Sequence, residues 1–171
     1  MMEAISWEAL AAAVVLVSVL ELDVVQAGQF MVSRPVVVGA LLGLLFDRAM
    51  PGVTLGLCFE LFSLDDLPVG GNLPLNATVA TAAALLLSWG PPQLVMELAV
   101  PVGLGAGWAH RRVETALRPR RRMFCGGIEE RLGRGEEPCF GAAVLRSLAE
   151  QAAATFAVLS AFLVAVGPAL N

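Results

Sequence analysis

The carboxylates, amides and single histidine of this chain stand out because so little around them is polar. Glu60 sits between Phe59 and Leu61 in an apolar run, and Asp65-Asp66 follow it closely. Next comes Pro68-Val69-Gly70-Gly71-Asn72-Leu73-Pro74, whose prolines and Gly-Gly step cannot continue a helix. Carboxylates and side-chain amides of this kind accept from, or donate to, the hydroxyls of a small polar solute. Bond-breaking chemistry has no comparable set of residues. His110 stands beside Arg111-Arg112, with no acidic or Cys partner at ligand spacing. Cys58, Cys125 and Cys139 form no CxxC or other zinc spacing. No catalytic residue, metal or cofactor is expected.

Hydrophobic residues make up 57% of the 171 and charged residues 15%, with a mean hydropathy of +0.76. A soluble domain sits near half apolar and a quarter charged, so this composition is that of an integral membrane protein. In lipid, non-helical backbone survives only where protein or a watery cavity satisfies its hydrogen bonds. The stretch Phe59–Thr81 therefore reads in two ways: a turn outside the bilayer joining two helices, or a broken element lining a small-solute site. The second is preferred. Glu60 likewise has two readings, as an acceptor for solute hydroxyls or a buried turn, or as a carboxylate paired with Arg34 or Arg48 for structure alone.

The elements that must position these groups can be read in order. The N-terminus carries Glu3 and Glu8 and no basic residue, unlike a secretory signal. Ile5 to about Val25 reads as a retained first helix, with Ala9–Leu20 its uninterrupted apolar part. Glu21 and Asp23 near its end mark the membrane interface or face inward, the interface being the preferred reading. Arg34-Pro35 opens a new helix. Pro35–Phe46 and Val53–Phe62 are two short apolar runs separated by Asp47-Arg48-Ala49-Met50-Pro51-Gly52. Runs of about 10–14 residues suit a re-entrant hairpin better than full spans, and Gly/Pro-interrupted segments point to a transporter's substrate site. Asn76 caps a helix Ala77–Trp89, and Gly90-Pro91-Pro92 gives a tight reversal. Gln93–Trp108 is the next helix, interrupted at Glu97 and at Pro101-Val102-Gly103, with Glu97 buried against a neighbour. Gly103, Gly105 and Gly107 suggest close helix packing. Phe140–Val166 is the last helix, with Arg146 and Glu150 an interfacial ion pair.

Lys is absent, so all eleven basic residues are Arg, within a net charge of -4. From His110 to Pro138 eight Arg face five Glu, whereas the remainder holds three Arg and ten acids. Arginines directly after a span mark the cytoplasmic side, which explains this block better than nucleic-acid or anionic-lipid binding does. The chain thus divides into a membrane domain 1–110, a basic cytoplasmic loop 111–138 that is flexible from Arg131 to Glu137, and a final transmembrane helix 139–171. A disulfide between Cys125 and Cys139 is not expected in the reducing cytoplasm. The fold class is an all-α membrane protein: transmembrane helices plus a re-entrant helical hairpin with a Gly/Pro-broken turn.

The run GQFMVSRPVVVGALLGLLFDRAMPGVTLGLCFELFSLDDLPVGGNLPLNATVAT resembles the N-terminal half of the IIC membrane subunit of the mannose/fructose/sorbose family of bacterial phosphotransferase (PTS) sugar transporters. A Gln–aromatic step precedes Ser33-Arg34-Pro35. A Gly-rich apolar segment, G-x-x-x-E-L and a Pro-Val-Gly-Gly turn follow in order. The resemblance, over about Gln26 to Ala84, implies a multi-pass subunit of the bacterial inner membrane that binds and translocates a hexose-type sugar. It implies a IID-like membrane partner, a cytoplasmic IIA/IIB phosphocarrier that carries out the phosphoryl transfer, and an oligomer. By motif match, Gln29, Glu60 and Asn72 are candidate sugar contacts, and Gly70 and Gly71 allow close backbone approach. Arg34 is structural. Family members commonly have Pro-Pro-Asp after the Gly-Gly turn, whereas this chain has Leu73-Pro74-Leu75-Asn76; Asn76 still hydrogen-bonds a hydroxyl but lacks the charge. The chain also stops near the middle of a usual IIC subunit, so the expectation is a transport site that is either incomplete or finished by a partner. The alternative is a degenerate, non-transporting paralogue with a regulatory or docking role.

Overall fold

Thirteen residues without a charge, ATVATAAALLLSW, form the helix around which the others pack. In a computed structural model, which describes residues 5–23, 28, 30–64, 73–90 and 93–169, this stretch is α4 (Ala77–Trp89), buried throughout Thr78–Leu87. A helix apolar on every side belongs in a core. Around it stand α1 (Trp7–Leu20), ending in a 3-10 turn at Glu21–Asp23, α2 (Pro35–Leu45), α3 (Ala49–Ser63), α5 (Met96–Gly133) and α6 (Phe140–Ala169). The described residues contain no strand.

Small residues set how closely the helices approach. α2 and α3 form an antiparallel hairpin in which Gly39 faces the backbone of Gly52, Gly43 that of Arg48 and Ala49, and Gly56 that of Pro35 and Val36. A methyl group on Gly56 would fall 2.8 Å from the Cα of Val36. The turn between them is tight because α2 ends in a Schellman motif, with Arg48 N–H donating to Gly43 O at 2.6 Å and Asp47 N–H to Leu44 O at 3.4 Å. Asp47 takes the left-handed conformation this requires, at φ 54°, which a short polar side chain tolerates. The break between the two runs is therefore only Phe46–Arg48, and α3 starts at Ala49 rather than Val53.

α5 runs antiparallel to α4, with Gly103 against Ala80 and Ala84, and Gly107 against Asn76 and Ala80. Gly105 lies off this face and looks toward Phe162. At the far end of the bundle the Trp89 ring meets Phe46 edge-on, centroids 6.0 Å apart, and the Arg48 guanidinium lies 5.7 Å from the Trp89 centroid.

Three expectations are corrected here. α5 is one helix of 38 residues with Pro101 and Pro119 inside it, not a helix interrupted at Pro101 and followed by a basic loop. Both prolines lie on exposed positions, where their rings displace no packed neighbour, and the Arg-, Leu- and Glu-rich stretch beyond His110 favours helix. The stretch expected to be flexible, Arg131 to Glu137, begins as helix and turns at Gly135 (φ 74°). There Glu136 N–H reaches Arg131 O at 3.0 Å, and the Glu136 carboxylate pairs with Arg131 and Arg134. Glu97, expected to be buried, is exposed at the start of α5.

α5 beyond His110 and α6 before Thr155 together form an arm that leaves the bundle. Arg121 bonds Gln151 Oε1 at 2.8 Å across it, Arg146 lies over Phe124 at 4.8 Å, and Arg146 pairs with Glu150 at 3.0 Å as expected. Within α6, Phe140–Val166 is long and apolar enough to cross a membrane.

Placing a methyl group at the hairpin contact gives a direct check. Gly39→Ala is expected to lower the thermal midpoint in detergent, at a cost of about 1–3 kcal/mol from overpacking. Gly126→Ala, where nothing lies within 4 Å, should leave the midpoint unchanged or raise it.

Candidate substrate site

The first backbone N–H groups of α4 have no partner inside the helix. Asn76, the residue before it, supplies one: its Oδ1 accepts from Val79 N–H at 2.9 Å, as the sequence predicts. This fixes which way the amide points, and its nitrogen then faces two acceptors. Asn76 Nδ2 donates to Glu21 Oε1 at 2.5 Å and lies 3.1 Å from His110 Nδ1. An amide nitrogen only donates, so His110 Nδ1 accepts and the ring proton sits on Nε2. That Nε2 is 3.0 Å from Thr155 Oγ1, and Thr155 in turn donates to Gln151 O at 3.2 Å. One chain of hydrogen bonds thus joins the end of α1, the start of α4, the middle of α5 and α6. His110 and Thr155 have no exposed surface, and Glu21 is 3% exposed.

A second carboxylate organises the neighbouring loop. Asp23 accepts Phe30 N–H on Oδ1 at 2.7 Å and Val32 N–H on Oδ2 at 2.9 Å. Met31, between them, adopts φ 65°. The Thr78 hydroxyl donates to Ser33 O, so the loop is also tied to the first turn of α4. Both Glu21 and Asp23 therefore face inward rather than marking an interface. Each has backbone or amide donors to meet there, which is what makes a buried carboxylate tolerable.

Glu60 closes the third side. Its Oε1 meets Arg34 at 2.5 Å and its Oε2 accepts Val36 N–H at 3.4 Å. Val36 lies in the first turn of α2, where a negative charge is favoured by the helix dipole. Of the partners considered for Glu60, the structure has Arg34; Arg48 lies at the other end of the bundle, over Trp89. Glu60 thereby pins the end of α3 to the start of α2.

Among the residues picked from sequence, Glu60 and Asn76 come to the same end of the bundle. Gln29, Gly70, Gly71 and Asn72 lie outside the described residues, as do Asp65, Asp66, Pro91 and Pro92. Of the described residues that flank them, Phe30 belongs to the Asp23-bound loop and Leu64 caps the end of α3. Sequence reasoning set His110 aside and missed Thr155. Helical spacing held a signal for the first: His110 continues the stripe of Gly103 and Gly107 that packs on α4. Glu21 similarly continues the buried stripe Leu10, Val14 and Val17 of α1.

Apolar side chains face outward from every side of the helical bundle, Leu44, Met50, Leu61 and Phe62 among them, while polar groups gather inside one end. Such an arrangement is that of a helical membrane protein. Its fold matches a chain in the cryo-EM structure of the mannose transporter ManYZ in complex with microcin E492, with a TM-score of 0.77 at 16% identity. The match covers 96% of this chain and 66% of that one, so this chain spans about two thirds of the matched subunit's length. No curated protein sequence matches it. The family of sorbose-specific IIC components of the PTS matches residues 7–117, and the chain belongs to that family.

Removing the amide that joins the network tests its weight. Asn76→Ala is expected to destabilise the protein by about 2–4 kcal/mol, combining a lost cap with stranded partners at Glu21 and His110. Thermal or denaturant unfolding in detergent measures it.

Proposed function

We propose that this chain is the sugar-binding and translocating membrane subunit of a PTS permease. It lies in the bacterial inner membrane, with residues 111–138 in the cytoplasm. It carries a hexose-type sugar, pairs with a IID-like membrane subunit, and works with a cytoplasmic IIA/IIB phosphocarrier that supplies the phosphoryl group. Membership of the IIC family motivates the reading. The observation that carries it is the gathering of Arg34–Glu60, the Asp23-bound loop and the Asn76 network at one end of the bundle. In sequence, those groups neighbour the stretches that hold the other candidate contacts, Gln29, Gly70, Gly71 and Asn72.

The same end of the bundle carries the arginine-rich arm. With the arginines in the cytoplasm, the polar cluster lies on the side where phosphate is delivered, which suits a sugar released toward a phosphocarrier. On this reading the α2–α3 hairpin is re-entrant: at 11 and 15 residues its helices are about 17 and 23 Å long, short of the roughly 30 Å hydrocarbon core. Glu60 has a structural part in that hairpin and is expected to matter to transport through it.

Uptake of labelled hexose in cells supplying the partner subunits is the test. Asn72→Ala and Glu60→Ala are each expected to lower uptake more than tenfold while the chain still inserts and copurifies with the IID subunit. Unchanged uptake by both removes the site assignment. Cys125 and Cys139, both exposed on the arm, should react with an impermeant thiol reagent in inverted vesicles and not in intact cells; the reverse overturns the orientation.

A further inference from the structure

Counting donors and acceptors at the Asn76 network shows which group has something left to offer. Asn76 spends both amide hydrogens, on Glu21 Oε1 and His110 Nδ1, and Oδ1 holds the Val79 N–H. His110 spends both ring nitrogens, one on Asn76 and the other on Thr155. Glu21 alone is half used. Its Oε2 is buried and has no hydrogen-bond partner among the described residues. A role limited to holding Asn76 would need one acceptor, and a stranded buried carboxylate oxygen is costly. An unpartnered acceptor in a site of this kind is matched by a ligand that brings a donor.

We propose that Glu21, through Oε2, is the acceptor for a sugar hydroxyl in this subunit, with Asn76 held beside it by His110. The inference rests on the sugar-transport reading above and shifts the contact from the amide to the carboxylate behind it. A hydroxyl of a neutral hexose can donate to Oε2, and the remaining lone pair of Asn76 Oδ1 offers a second acceptor close by.

The test uses the complex with the IID subunit in lipid nanodiscs. Binding of labelled mannose, fructose, sorbose and glucose is measured first, then that of the monodeoxy analogues of whichever hexose binds. Glu21→Gln keeps the side-chain volume and the oxygen that accepts from Asn76, but replaces Oε2 by an amide nitrogen. It is expected to weaken binding of the parent sugar by on the order of tenfold or more. For the one analogue lacking the contacted hydroxyl, wild type and variant should bind alike. Glu21→Asp, which keeps the charge but draws the oxygen back by one methylene, should show the same dependence on that hydroxyl, and serves where the amide variant fails to assemble. An equal wild-type-to-variant ratio across all analogues overturns the proposal, leaving a trapped water or a structural role for Oε2. If wild type binds the sugar, that result removes only this inference; if wild type binds none of the hexoses, the transport reading falls with it.

Discussion

A helix that starts inside a bundle leaves backbone N–H groups in need of acceptors, and water is not there to supply them. For α4 one side chain meets that need, and the rest of the polar end follows from it. Once Asn76 Oδ1 is committed to Val79 N–H, the amide nitrogen has a fixed direction, and Glu21 and His110 must be where they are to receive it. The His110 tautomer is then settled without further choice, because its other nitrogen has only a donor's role left. Thr155 closes the chain on α6. Four elements are thus held by hydrogen bonds whose geometry is determined at a single residue.

The apolar part of the structure supports this from outside. Glycine-to-backbone contacts within the α2–α3 hairpin and along α5 bring helix axes close, with dispersion contacts in place of a solvent-driven collapse that lipid cannot supply. The hairpin needs its own pin, and Glu60 provides it by holding Arg34 and the first turn of α2. Asp23 does the same for the loop that leads into α2. Each carboxylate inside this end is therefore an acceptor for backbone or side-chain donors on a different element.

How much of this could be read beforehand depended on whether the signal was local. The Asn76 cap, α4, the short helices of the hairpin and the apolar length of α6 all follow from neighbouring residue types, and all were legible. Glu21 and Asp23 were not, because two acids at the end of an apolar run look the same whether they face lipid headgroups or a protein interior. Only the placement of Asn76 and of Phe30–Val32 decides it, and that is a tertiary fact. α5 misled for the opposite reason. Pro101 and Pro119 are strong local breakers, but each sits on an exposed face where its ring displaces no neighbour, so a long helix absorbed both. The lone histidine lacked metal-ligand neighbours in sequence, yet its register with Gly103 and Gly107 already put it against α4.

The arm has a mechanical consequence. From His110 to Gly133 there are 24 residues of unbroken helix, about 35 Å of rod at the usual rise, and α6 returns along it to Thr155. His110 and Thr155, which grip one another at its root, are thus the fulcrum of a lever. Pro119 is the weakest joint along that stretch of α5, and Arg121 bonded to Gln151 braces the pair just beyond it. A load applied at the outer tip travels down two stiff rods to the His110–Thr155 contact rather than dissipating in a slack tether. The start of α4 is in this sense wired to the outermost point of the molecule.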